Sequence, residues 1–221
     1  MRALPMTPSQ PSRLRRLLLM LLLGSALGLA AAGGMLLLLP TLRSQFAPPP
    51  APLNGAVLTP PRSIPALTLQ RTDGSPFSTT ELTGKLSLVF FGYTFCPDVC
   101  PMTLSELLQM RRILGADADR VQVYFVTVDP ARDSADRLRR YVKAFDPAFE
   151  GLTGDEDALA QMRAAFGAIG VRREAPNGGP NYFMDHTAAM FLVDRSGSIS
   201  MAYAYGTPPQ LLADDLRQLA R

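Results

Sequence analysis

The chain has 221 residues, 47% of them hydrophobic, which allows one domain of ordinary size plus extras. Its formal charge of +3 belongs to the N-terminus: residues 1–43 hold five Arg and no acid, leaving 17 basic against 19 acidic groups beyond them. That remainder has no basic stripe and no basic-aromatic interleaving, which excludes a nucleic-acid footprint.

From Leu17 to Leu39 run 23 residues without a charge. As a helix they would be about 35 Å long, enough to cross a bilayer. Arg2, Arg13, Arg15 and Arg16 precede the run and only Arg43 follows closely, so the positive-inside rule puts residues 1–16 in the cytoplasm. A cleaved signal peptide is the rival, because ALGLAAAGG offers small residues for cleavage. However, MLLLL resumes beyond them, whereas a cleaved apolar region normally spans about 7 to 15 residues. The expectation is a single transmembrane anchor at 17–39 in a bacterial inner membrane, with the C-terminal portion in the periplasm.

Eight prolines lie between Pro40 and Pro65. They predict an extended polyproline tether over 40–64, which at about 3.1 Å per residue holds the domain several tens of ångströms off the membrane. The domain is expected at 65–221. ALTLQRTDGSPFS reads as a hairpin turning at Asp73-Gly74, and KLSLVFFGY as a strand buried on both faces. Met102 to Leu114 is a predicted helix with Leu104, Leu107, Leu108 and Met110 on one face, and Val121 to Val128 a second buried strand. Ser134 is placed to cap a helix reaching Phe145, and Asp155 one from about Glu156 to Ala168, with Gly167 and Gly170 closing it. AAMFLVDRSGSISMAYAYG predicts two strands joined at a Ser-Gly turn, and Pro208-Pro209 the start of a last helix ending near Leu219. Strands alternating with helices imply an α/β sandwich with a mixed central sheet flanked by helices.

The only two cysteines, Cys96 and Cys100, stand in FFGYTFCPDVCPMT, where a strand's C-terminal end turns into a helix. Helix N-terminal amides stabilise a thiolate, the form that is both nucleophile and soft-metal ligand. A disulfide closing so short a loop would contribute little through loop entropy, so a structural staple is the weaker reading. His186 is the only histidine, and a lone histidine before a strand is often purely structural. Two thiolates with one imidazole nevertheless suit Cu(I), and the nitrogen lets the set hold Cu(II) as well. A structural zinc site would need a fourth ligand, which no third cysteine or second histidine supplies. Asp98 stands between the cysteines as a candidate to tune the thiolates, and Asp185 beside His186 as a candidate to orient it. Asp129, Arg132 and Asp133 read as a chain turn, and Met102, Met110, Met162, Met190 and Met201 as scattered core residues.

FFGYTFCPDVCPMTLSEL, FVTVDPARDSADRLRRYVKAF and NYFMDHTAAMFLVDRSG, in this order behind an N-terminal anchor, resemble the Sco/SenC family of copper-handling proteins of cytochrome c oxidase assembly. The likeness runs from about Pro65 to Leu219, with Thr187 where serine is common and Met184 where the family varies. It implies a thioredoxin-like fold in which Cys96, Cys100 and His186 bind one copper ion, as Cu(I) or Cu(II). It also implies that the copper is delivered to, or used in maturing, the binuclear centre of oxidase subunit II. Cys96 and Cys100 would form a redox-active disulfide, so a thiol reductant or another copper chaperone is an implied partner. The alternative is a thiol-disulfide oxidoreductase or redox sensor acting on the cysteines of that copper site. Thioredoxin-type enzymes, though, usually show Cys-x-x-Cys and a proline before the later strand, and both are missing here. The expectation is therefore a metallochaperone, with thiol-disulfide exchange at most an accessory activity.

Overall fold

The computed structural model describes residues 16–18, 20–25, 28–29, 33–35, 51–174 and 182–220. The chain divides into two units, Met1–Ala51 and Pro52–Arg221. In the first, the described residues other than Ala51 are helical. Much of the expected anchor at 17–39, all of the segment expected in the cytoplasm except Arg16, and residues 40–50 of the tether lie outside the described residues. Among the described residues, no helix is long and apolar enough to cross a membrane.

The second unit is built on an eight-stranded mixed sheet. Its strands are β1 (Ala56–Ser63), β2 (Thr68–Arg71), β3 (Pro76–Ser78), β4 (Leu86–Gly92), β5 (Val121–Thr127), β6 (Glu150–Thr153), β9 (Met190–Val193) and β10 (Ser198–Tyr203). The spatial order is β1-β10-β9-β4-β5-β6-β2-β3. β4, β5 and β6 run parallel, while β9 lies antiparallel beside β4. A separate antiparallel hairpin pairs β7 (Gly170–Glu174) with β8 (Tyr182–His186). The helices are α1 (Val99–Leu114), α2 (Ala135–Phe145), α3 (Glu156–Phe166) and α4 (Pro209–Leu219).

Local chemistry accounts for most of these boundaries. Every residue of β4 is buried, as its unbroken apolar run predicts for a strand covered on both faces. Ser134 and Asp155 accept hydrogen bonds from the amides of Arg137 and Ala158, capping α2 and α3, and Gly167 ends α3 in the left-handed region. Pro209 starts α4 with its missing N–H at a position that has no helical partner. The Asp73-Gly74 and Ser196-Gly197 turns form as expected, each glycine at positive φ.

Three features differ from the sequence expectation. α1 begins at Val99 rather than Met102, because Pro101 falls in the first turn, where a proline removes no helical hydrogen bond. Residues 56–63, read as tether, form β1, paired to β10 with a register shift between Val57 and Arg62. Its two prolines are tolerated because it is an edge strand. The β7–β8 hairpin, with Arg172, Arg173 and Glu174 in succession, carried no strand pattern strong enough to be read.

Candidate metal centre

Cys96 and Cys100 sit where β4 turns into α1. Gly92, the last residue of β4, makes room for the second sulfur: a Cβ there would lie 2.8 Å from Cys100 Sγ and 2.8 Å from the Phe125 ring. Cys100 is therefore packed fully into the core, whereas Cys96 is partly exposed; neither is in a disulfide. The Cys100 amide, in the first turn of α1, points at Cys96 Sγ at 3.4 Å, so the helix N-terminus faces that sulfur.

His186 ends β8 and brings its ring over both sulfurs. Nε2 lies 3.5 Å from Cys100 Sγ and 3.9 Å from Cys96 Sγ. Nδ1 lies 3.2 Å from the Thr187 carbonyl. A carbonyl only accepts, so Nδ1 donates to it, and Nε2 is the nitrogen that faces the sulfurs: with a proton it donates to a thiolate, without one it can ligate a metal. Tyr93 and Phe90 meet the imidazole edge-on at 5.7 and 6.1 Å between ring centres, fixing its plane from the core side. Among the described residues, Cys96, Cys100 and His186 form a group whose ligand atoms all lie within 4.8 Å of one another.

The two thiols differ sharply in acidity. A hydrogen bond from the Cys100 thiol, aided by His186 and by the Asp98 and Cys100 amides, lowers Cys96 to about 4 despite its burial. The same hydrogen bond and the deep burial of Cys100 push that thiol far up. The pair thus holds one proton, on Cys100, and one thiolate, on Cys96.

The neighbouring acids fall into different roles from those expected. Asp98 is exposed and is the N-cap residue of α1, but its side chain makes no capping bond. Its backbone amide, not its carboxylate, supports Cys96. Asp185 points away from the imidazole and pairs with Arg173 at 2.5 Å, so the oxygen at His186 Nδ1 is that of Thr187 instead. In a β-strand alternate side chains face opposite ways, which turns Asp185 outward when His186 turns in.

What sequence reasoning missed is the segment after β5. Asp133 is buried and accepts from the Thr94 amide at 3.1 Å, the Thr94 hydroxyl at 2.6 Å and the Thr127 hydroxyl at 2.7 Å, tying the cysteine loop to β5. Burial raises its pKa against these bonds. Three charges directly after a buried strand were the available signal. Met110, Met162, Met190 and Met201 are core residues as expected, whereas Met102 is exposed and takes the Tyr205 hydroxyl at 3.2 Å.

The family model described as SCO1/SenC matches residues 59–221. The chain belongs to the SCO1/SenC family. Among curated relatives it is 33% identical over 145 residues to the SCO2-like protein of Rickettsia felis, covering 66% of this chain and 71% of that one. It is 34% identical to the mitochondrial SCO2 homolog of Homo sapiens, spanning 62% of this chain and 52% of the human protein. Among solved structures it is similar to Bradyrhizobium japonicum ScoI with copper bound, at 36% identity and TM-score 0.65, over 71% of this chain and 99% of that one. It is also similar to apo Sco1 from Thermus thermophilus, at 34% identity and TM-score 0.68, over 76% of this chain and 97% of that one. The mixed, thioredoxin-like α/β sandwich expected from the sequence is the SCO1/SenC fold.

Proposed function

We propose that the chain binds one copper ion through Cys96 Sγ, Cys100 Sγ and His186 Nε2. It passes that ion to the binuclear copper centre of cytochrome c oxidase subunit II, acting as a carrier without turnover. The convergence of these three donor atoms within 4.8 Å carries this reading. Two soft sulfurs and one imidazole suit low-coordinate Cu(I) and still hold Cu(II), and a structural zinc site would want a fourth ligand. The likeness to a ScoI with copper bound supports the same choice of metal. Cys96 and His186 are partly exposed, so an acceptor's ligands can reach the metal from their side while buried Cys100 still holds it. In this reading residues 17–39 anchor the carrier in the inner membrane and the domain works in the periplasm.

The acidity difference between the cysteines favours one accessory reading, thiol-disulfide exchange. The Cys96 thiolate would attack a target disulfide and form a mixed disulfide. Cys100, once deprotonated, would displace it, leaving a Cys96–Cys100 disulfide and two thiols on the target. That disulfide has no thiolate to offer copper, so a thiol reductant must supply two electrons and two protons before the next loading.

Metal analysis of the full-length chain beside its variants tests the carrier reading. Cys96→Ala or Cys100→Ala abolishes tight binding of either copper state. His186→Ala retains weaker Cu(I) but loses the sulfur-to-Cu(II) charge-transfer absorption. An unchanged Cu(II) spectrum in His186→Ala returns that residue to a structural role. In cells lacking the endogenous protein, full rescue of oxidase activity by His186→Ala at limiting copper would leave the reductase reading in its place.

A further inference from the structure

Arg132 lies between the two elements that carry the ligands. Its guanidinium stacks over the Tyr182 ring at 3.5 Å from the ring centre, and over Phe95, next to Cys96, at 4.8 Å. Nη1 donates to the Tyr182 carbonyl at 2.9 Å and Nε to Asp129 Oδ2 at 2.5 Å. The other Asp129 oxygen accepts from the Tyr182 hydroxyl at 2.7 Å. One guanidinium and one buried carboxylate therefore hold both the backbone and the ring at the start of β8.

That strand ends in His186. Tyr182, Met184 and His186 alternate with exposed Phe183 and Asp185, so the clamped residue and the ligand share the inward face of one strand. Among the described residues β8 pairs only with β7, outside the main sheet, and a two-stranded hairpin alone is marginally stable. Its placement on the body of the domain thus depends on its contacts there, the Arg132 cluster among them. Tyr93, under the imidazole, lies 5.7 Å from the same guanidinium.

We infer that Arg132 is a positioning residue that docks the β7–β8 hairpin against the cysteine loop and so sets His186 Nε2 over both sulfurs. The inference rests on the copper reading above. It assigns to Arg132 the choice between a two-sulfur site and a three-ligand site. Lysine would keep the charge toward Asp129 but lose the flat face that stacks and the fork that also reaches Tyr182.

A double-mutant cycle in the full-length chain, kept in mild detergent, tests it. The chains compared are the unsubstituted one, Arg132→Gln, Arg132→Lys, His186→Ala and the Arg132→Gln/His186→Ala pair. Cu(II) is read by its charge-transfer absorption and Cu(I) by competition with a chromophoric chelator. Arg132→Gln should lower Cu(II) affinity by about 10- to 100-fold, as loss of a residue that orients a ligand does. Arg132→Lys should fall nearer to Gln than to the unsubstituted chain. Arg132→Gln should also weaken Cu(I) binding in the unsubstituted chain and leave it unchanged in the His186→Ala background, where the Cu(II) band is lost and Cu(I) competition is the readout, because the group it positions is gone. If Arg132→Gln loses its cooperative thermal transition, the cycle is read with Arg132→Lys. Equal weakening in both backgrounds, or an unaltered Cu(II) spectrum, overturns the role of Arg132. Failure of the unsubstituted chain to bind copper overturns the copper reading instead.

Discussion

Cys100 Sγ lies 3.5 Å from His186 Nε2, although the two residues are 86 positions apart in the sequence. The sulfur is fixed by the first turn of α1 and by the space over Gly92; the nitrogen is fixed by the last residue of a hairpin outside the main sheet. Half of the site therefore belongs to the rigid core and half to an appended element. Cys96 is the more open sulfur, on a loop between them.

The unequal thiols give a first prediction. The Cys96 pKa is depressed to about 4, so its thiolate persists through neutral pH and is lost only as pH falls through that value. Cys100 is shifted the other way and remains a thiol. Iodoacetamide should label the reduced, metal-free protein once, at Cys96, at a rate nearly flat from about pH 5.5 to 7.5. An ordinary thiol with a pKa of about 8.5 gains roughly tenfold per pH unit over that range. Peptide mass mapping locates the label. First labelling at Cys100, or a tenfold rise per unit, would contradict the shared-proton arrangement.

Gly92 gives a second. An added Cβ would lie 2.8 Å from Cys100 Sγ and from the Phe125 ring, and both neighbours are fully buried. Gly92→Ala should cost about 1–3 kcal/mol, the usual penalty for overfilling a packed core. Its thermal midpoint should fall by several degrees, and Cu(I) binding should weaken because Cys100 is pushed from its seat. A variant as stable as the parent, with unchanged copper affinity, would show that β4 and α1 can separate without consequence.

Much of this molecule was legible because its signals are local. The apolar run of β4, the caps at Ser134 and Asp155 and the glycine turns each obey rules spanning a few residues. β1 was hidden because its prolines signal a tether, and only the neighbouring β10 makes it a strand. At the site, the three candidate ligand residues stood out as the only cysteines and the only histidine. Their supports did not: Arg132 acts through Tyr182, 50 positions away, and Asp133 through Thr94, 39 positions away, pairings that no short-range pattern encodes.

The last prediction concerns where the folded unit starts. Asp215, buried in α4, accepts from the Asn54 amide at 2.9 Å, the Asn54 side-chain amide at 2.7 Å, the Gly55 amide at 3.0 Å and the Tyr203 hydroxyl at 3.2 Å. This carboxylate thus pins the residues that lead into β1, the strand at the sheet edge. Removing one partner of a buried charged hydrogen bond typically costs about 1.5–3 kcal/mol, and Asp215→Ala strands several donors at once. In the metal-free full-length chain, amide hydrogen exchange should show Ala56, Val57 and Leu58 losing protection in this variant. β4 and β5, at the centre of the sheet, should retain theirs, because the loss is confined to one edge. A chain begun at Pro52 should unfold cooperatively without metal, and one begun at Pro65, lacking β1, should do so at a lower temperature. Equal midpoints for those two chains, with β1 amides unchanged in Asp215→Ala, would make β1 an ornament of the tether rather than the first strand of the domain.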